Sequence, residues 1–171
     1  SQQIYLYQNC SVPRSFIPFG APQPSDFKKS EEWDLIFLGN PYGGHGRRIP
    51  ILNKLKQICN LCPHREAWGE KKFTLINSSK ICLNLHQFES HSYESPRIFE
   101  LLSEGSFILT EPIINSYPFV DGVHYISFYN EKDMVDKVQY YINNPMERKK
   151  IAATGKEKAA TYSQIRMFEK L

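Results

Sequence analysis

Arg97 and Glu100 stand one helical turn apart in the segment SPRIFELLSEG over residues 95–105, placing a cation and a carboxylate near the start of one helix. The guanidinium and the first N–H groups of that helix suit an anion such as a phosphate, and Ser95 is positioned to cap it. A carboxylate at Glu100 suits a pair of vicinal hydroxyls, as on a ribose, because it can accept from both. The plainer alternative is an ion pair between Arg97 and Glu100 themselves. A second set lies upstream in GNPYGGHGRR over residues 39–48. There Gly39 and Asn40 open a loop, Gly43, Gly44 and Gly46 let backbone N–H groups approach a phosphate, and Arg47 and Arg48 add charge where a helix begins. The spacing is neither a Walker lysine loop nor the dinucleotide fingerprint, so a mobile loop with two solvated arginines is the rival reading. His86 ends an apolar run and could contact a phosphate or a sugar hydroxyl, with His45 and His91 in nearby loops; a lone histidine is more often structural.

These residues need elements to hold them. Residues 81–85 form a short apolar run suited to a buried strand, and residues 86–94 form a polar loop. Pro96 then takes the first helical position, and Ile98, Phe99, Leu101 and Leu102 give that helix its apolar face. Gly105 closes it, and a strand restarts over residues 107–109. The same grammar precedes this unit: an apolar strand over residues 35–38, the glycine-rich loop, and a helix carrying Pro50, Ile51, Leu52, Leu55 and Ile58. Residues 58–62 suggest a short edge strand, and Phe73, Leu75 and Ile76 a short helix. Downstream, residues 125–128 read as a strand. Met134, Val135, Val138, Tyr141 and Ile142 read as a helix, and Asn144-Pro145 starts a last helix running through Ile165 and Phe168, weakened in its middle by Gly155. Strands alternating with helices, without a hairpin dipeptide, predict an α/β fold with a parallel sheet flanked by helices on both faces. Ligands of such sheets bind beyond the carboxyl ends of the strands, where the loops after Gly39, Leu85 and Thr110 emerge.

Length and composition set the outer bounds. The chain has 171 residues, 41% of them hydrophobic, which supports one full core. Residues 1–33 carry several prolines and little periodicity and read as an arm or linker, with the folded domain over residues 34–171. A net charge of +3 from 21 basic and 18 acidic residues is too mild and too mixed for a nucleic-acid surface, which favours a small anionic ligand. No apolar run reaches the roughly 18 residues of a membrane span, and low cysteine usage fits a reducing, cytoplasmic compartment. Cys59 and Cys62 make a CxxC followed by Pro63 and His64. Without a second such pair, ordinary buried thiols are a better reading than zinc ligands.

Taken in order, FLGN, the paired arginines with their helix, SKICLNLH, SPRIFELLSEGSFILTEP and the closing NNPMERKKIAATGKEKA resemble the carboxyl-terminal domain of GT-B glycosyltransferases. The group-1-like branch that includes spore-maturation-type transferases is the nearest match. The resemblance covers roughly residues 17–166, and R-x-F-E-x-x-x-x-G from Arg97 to Gly105 is its most specific part. It implies a Rossmann-like half of a GT-B fold that binds a nucleoside-diphosphate sugar, UDP- or GDP-linked, as donor. The diphosphate would lie at residues 39–48 and at Ser95 and Arg97, and the ribose at Glu100. The family's paired-glutamate motif is half present, with Ser92 where the earlier acid would stand. The resemblance further implies metal-independent transfer, no tightly bound cofactor, and an acceptor-binding amino-terminal half supplied by further chain or by a partner, without which this domain would not act. A non-catalytic interaction module that keeps the half-fold is the alternative.

Overall fold

The computed structural model describes residues 21–42, 46–64, 66–86, 96–113 and 116–163. Gly43, Gly44, His45, His91, Ser92, Ser95, Ile165 and Phe168 lie outside these residues, and the last described helix ends at Ala160 with Thr161 as its C-cap, short of the run through Tyr162 that the apolar spacing suggests.

Among the described residues, four parallel strands stand in the order β1 (Trp33–Ile36), β2 (Ser79–Asn84), β3 (Ile108–Thr110) and β4 (Ile126–Ser127). Leu35 pairs with Ile81, Cys82 with Ile108, and Leu109 with Ile126. β1, β2 and β4 are each followed by helix, whereas no helix of the described residues separates β3 from β4. α1 (Arg48–Ile58) and α2 (Gly69–Asn77) lie between β1 and β2, α3 (Pro96–Ser103) between β2 and β3, and α4 (Glu131–Asn143) and α5 (Pro145–Ala160) after β4. The edge strand read at residues 58–62 is reduced to a single parallel bridge between Leu61 and Leu35, with Cys62 N–H donating to the Leu35 carbonyl at 2.8 Å.

Strand alternation divides the core in two. Leu35, Phe37, Ile81, Leu83 and Leu109 face α1, α4 and part of α5, and the residues between them, Ile36, Cys82 and Ile108, face α2 and α3. Period-two alternation with apolar residues on both faces is what a sheet covered on both sides requires. The bridge at Leu61 also fixes where the winding turns around. The chain leaves β1 through α1 to the outer edge, then returns through α2 to form β2 on the other side of β1. The reversal opens a crevice at the carboxyl ends of β1 and β2.

Local signals bound the helices. At the end of α3, Gly105 has φ +65° and its N–H donates to the Leu102 carbonyl, while Ser106 N–H reaches back to Leu101; this is a Schellman cap. α4 is capped by Asn130, whose side chain accepts from Asp133 N–H, and Pro145 opens α5. Gly155 has a different reason from the one its helix-weakening propensity suggests. A Cβ there would stand 2.7 Å from Leu102 Cδ2 and 2.8 Å from the His124 carbonyl oxygen, so the close approach of α5 to α3 requires glycine.

The described part of the proline-rich arm, residues 21–32, wraps the amino end of the sheet. Ala21 N–H donates to the Tyr162 carbonyl, Ser30 N–H to Asn77, and Ser25 N–H to the buried Glu104 carboxylate. The CxxC cysteines pack as thiols: Cys62 is fully buried, and Cys59 donates to the Leu55 carbonyl while burial pushes its pKa up to about 11. No described helix is long and apolar enough to cross a membrane.

Candidate functional site

The loops after β1, β2 and β3 meet at the crevice, and Arg47 and Arg48 tie them together. Arg48, in the first turn of α1, is buried over the Phe37 ring. Its Nε donates to the His86 carbonyl at 3.3 Å, Nη1 to Asn40 at 2.9 Å and Nη2 to Leu85 at 2.8 Å. Arg47 donates to the same His86 carbonyl at 3.0 Å and, through both terminal nitrogens, to the carboxylate of Glu111. Glu111 also accepts from His86 N–H at 2.6 Å. The two arginines are therefore neither solvated nor simply displayed to a ligand. They lock the chain ends that leave β1, β2 and β3 into one frame, a use of the planar guanidinium that lysine could not match. His86 joins the frame through its backbone, and its residue is buried.

A cavity of about 310 Å³ opens on the α2 and α3 side of this frame. Its floor is apolar, formed by Ile36, Ile76, Cys82 and Leu83, and its polar wall includes Gly39, Asn40, Lys72, Arg97 and Glu100. This volume lies at the low end of the range for small-ligand sites, and an apolar bed with a few converging polar groups is their usual make-up. Arg97 and Glu100, placed on one side of α3 by their spacing, both line it. Glu100 pairs with Lys72 of α2 through Oε1, each side chain about a quarter exposed or less. Arg97 lies against Gly39. A Cβ at Gly39 would stand 3.3 Å from an Arg97 guanidinium nitrogen and 3.2 Å from Phe37 Cζ, and Gly39 has φ +154°. The positive φ favours glycine, and a side chain there would press on Phe37 and the Arg97 guanidinium.

The electrostatics of the mouth are lopsided. Burial, followed by the nearby charges of Arg97 and Arg47, lowers the Arg48 pKa, and Glu111 offsets part of this. Among the described residues, the Arg97 and Arg47 charges act on Arg48 across this crevice, Glu111 pairs with Arg47, Glu100 and Lys72 balance one another, and Glu66 adds a further carboxylate to the cavity lining. The excess positive charge favours an anion at the strand ends. No group of three or more His, Cys, Asp or Glu that could hold a metal ion occurs among the described residues.

Of the residues singled out from sequence, Gly39, Asn40, Arg97 and Glu100 come together in the cavity wall; Arg47, Arg48 and His86 form the adjoining frame. Sequence reasoning missed Glu111 and Lys72. Glu111 had a usable signal, since it follows the third strand just as Gly39 and His86 follow the first two. Lys72 had none, because the segment before β2 has weak periodicity. Trp68, 84% exposed, also lines the cavity and was not foreseen.

The model of the glycosyl transferase-like family matches residues 25–167. No curated protein matches the chain. Among solved structures, sucrose-phosphate synthase from Thermosynechococcus elongatus superposes with a TM-score of 0.63 at 11% identity, over 99% of this chain and 55% of its own. TarM gives 0.64 at 12% identity, over 99% and 40%. A glycosyltransferase from Rickettsia africae ESF-5 gives 0.58 at 14% identity, over 99% and 49%. The chain spans about half the length of these structures, and at such identities they show the fold, a Rossmann-like half of a GT-B architecture. With the family match covering most of its length, the chain belongs to the glycosyl transferase-like family.

Proposed function

We propose that this domain binds the nucleoside-diphosphate sugar of a glycosyltransferase, within the group-1-like branch that includes spore-maturation-type transferases. The observation that carries the reading is the cavity at the carboxyl ends of β1 and β2, with Arg97 and Glu100 in one wall. Arg97 and the amino-terminal N–H groups of α3 hold the diphosphate, and its charge is neutralised there as the sugar departs, without a metal. Glu100 accepts from the ribose hydroxyls, its rotamer held by Lys72. The frame made by Arg47, Arg48 and Glu111 fixes the mouth and adds positive potential. Tyr42 and Trp68 stand exposed at this end of the sheet, which suits an acceptor-binding half closing over it. Transfer itself would need that half.

Calorimetric titration with UDP, GDP and their sugars tests the reading. The wild-type chain should bind at least one of them, and Arg97→Ala and Glu100→Ala should each weaken binding by about tenfold or more, as loss of a charge-assisted contact does. Absence of binding by the wild type, or binding by both variants undiminished from the wild type, would overturn the assignment.

A further inference from the structure

A second cavity, of about 600 Å³, lies at the opposite end of the sheet, between the arm and α5. Five cationic side chains line it, Lys29 from the arm, Lys80 from β2, and Arg148, Lys149 and Lys156 from α5, against two carboxylates, Glu31 and Glu104. The carboxylates are already occupied. Glu31 pairs with Arg148 at 2.9 Å and Lys149 at 3.5 Å. Glu104 accepts from Ser25 N–H and Oγ and from Asn77 Nδ2. Lys80 in turn pairs with Asp34 at 2.7 Å, just outside the cavity lining.

This leaves Lys29 and Lys156, neither with a carboxylate within 4 Å among the described residues. The stem of Lys29 is exposed, but its ammonium reaches the buried Ser106 hydroxyl at 3.2 Å. Burial lowers its pKa and the neighbouring Lys156 charge acts in the same direction, while Cys82, Glu104 and Glu31 oppose them. Lys156 extends over Gly105, where its Cδ lies 3.0 Å from the position of a Cβ. The arm that bounds the cavity turns at Glu31, a non-glycine residue at φ +54°, held there by its pairing with α5. A backbone outlier held by its surroundings is common around ligand sites.

We propose that this cavity binds a small phosphate-bearing molecule, with the phosphate between Lys29 and Lys156. Two compact ammonium charges suit a phosphate dianion, which would relieve their repulsion and compensate the partly buried one. Two cations without ion-pair partners among the described residues, in a concave site bounded by the arm, fit a single phosphate group rather than a long polyanion.

Titration of the full chain with inorganic phosphate, glycerol phosphate and glycerol, followed by the lysine ε-methylene resonances and by calorimetry, tests this. Phosphate should shift the Lys29 and Lys156 signals, and Lys156→Gln and Lys29→Gln should each weaken binding by about fivefold or more, whereas Arg97→Ala should leave this binding in place. Tighter binding of glycerol phosphate than of inorganic phosphate would support a phosphorylated metabolite as the ligand; equal binding would support free phosphate. Lys156 is exposed, so its variant reports on binding even if Lys29→Gln fails to fold. Undiminished phosphate affinity in a folded Lys156→Gln, or shifts confined to the Arg97 end of the sheet, would overturn the proposal.

Discussion

At the start of α1 the arginines donate to the protein's own oxygen atoms, whereas at the start of α3 an arginine and a glutamate line a cavity. Arg48 reaches three backbone carbonyls and Arg47 a carboxylate and a carbonyl, so these side chains are fixed by contacts made on folding. Glu100 has one lysine partner across the cavity wall, and Arg97 lies along a glycine that leaves it room. Both helices follow a parallel strand and carry basic residues in or just before their first turn. The difference arises because the loops after β2 and β3 turn their carbonyls and Glu111 toward α1, while α2 and α3 leave a gap between them. Changes at α1 should therefore appear mainly as lost stability, and changes at α3 mainly as altered ligand affinity.

The strongest test of that division is Arg48→Met, which keeps packing over Phe37 but leaves the buried Leu85 carbonyl without its guanidinium donor. A loss of about 3 kcal/mol is expected from the urea unfolding midpoint, and a loss below 1 kcal/mol would show that the frame is dispensable. Gly39→Ala comes next and bridges the two regions. Its Cβ meets Phe37 and Arg97 in a backbone conformation unsuited to alanine, so about 2 kcal/mol of stability should go along with nucleotide affinity. If affinity survives, Arg97 is not held by that contact. Glu111→Gln should separate the two readouts. It weakens the bonds to Arg47 and His86, costing about 1.5 kcal/mol, yet removes the negative charge opposing Arg47 and Arg48. UDP affinity measured by calorimetry should then rise about two- to threefold by the same electrostatics; a fall would mean that Glu111 positions the site.

How much of this could be read from sequence depended on how far apart the partners lie. The strands with alternating apolar residues, the proline starts of α3 and α5, and the Gly105 cap are set within a few neighbouring residues, and the structure has the prolines and the cap in place and the strand ends within two residues of the expected bounds. The placement of Arg97 and Glu100 in one wall was also local, a consequence of i,i+3 spacing, whereas Glu100 takes Lys72 as its ion-pair partner. What Arg47 and Arg48 would touch was mostly not local, because apart from the Asn40 carbonyl eight positions earlier their acceptors come from residues 37 to 64 positions later along the chain. The arm was legible as irregular but not as a wrap, since Glu31 meets Arg148 across 117 positions. Gly155 shows the same limit from the other side: propensity marked it as a weakness, and only tertiary packing explains it.

The smallest effect probes how Glu100 is held. Its carboxylate has more acceptor capacity than the Lys72 ammonium uses, so a ribose can bind without displacing the lysine, provided the carboxylate is already oriented. On that view Lys72→Met loses orientation rather than a ligand contact. The pair is partly exposed, so stability should change by no more than about 0.5 kcal/mol. UDP affinity should fall about two- to threefold, well short of the Glu100→Ala loss, because an unanchored carboxylate must be ordered on binding. Tighter binding by Lys72→Met would reverse the roles, making Lys72 a competitor that the ribose has to displace. In that case the α3 wall would resemble the α1 frame, already closed on itself before the ligand arrives.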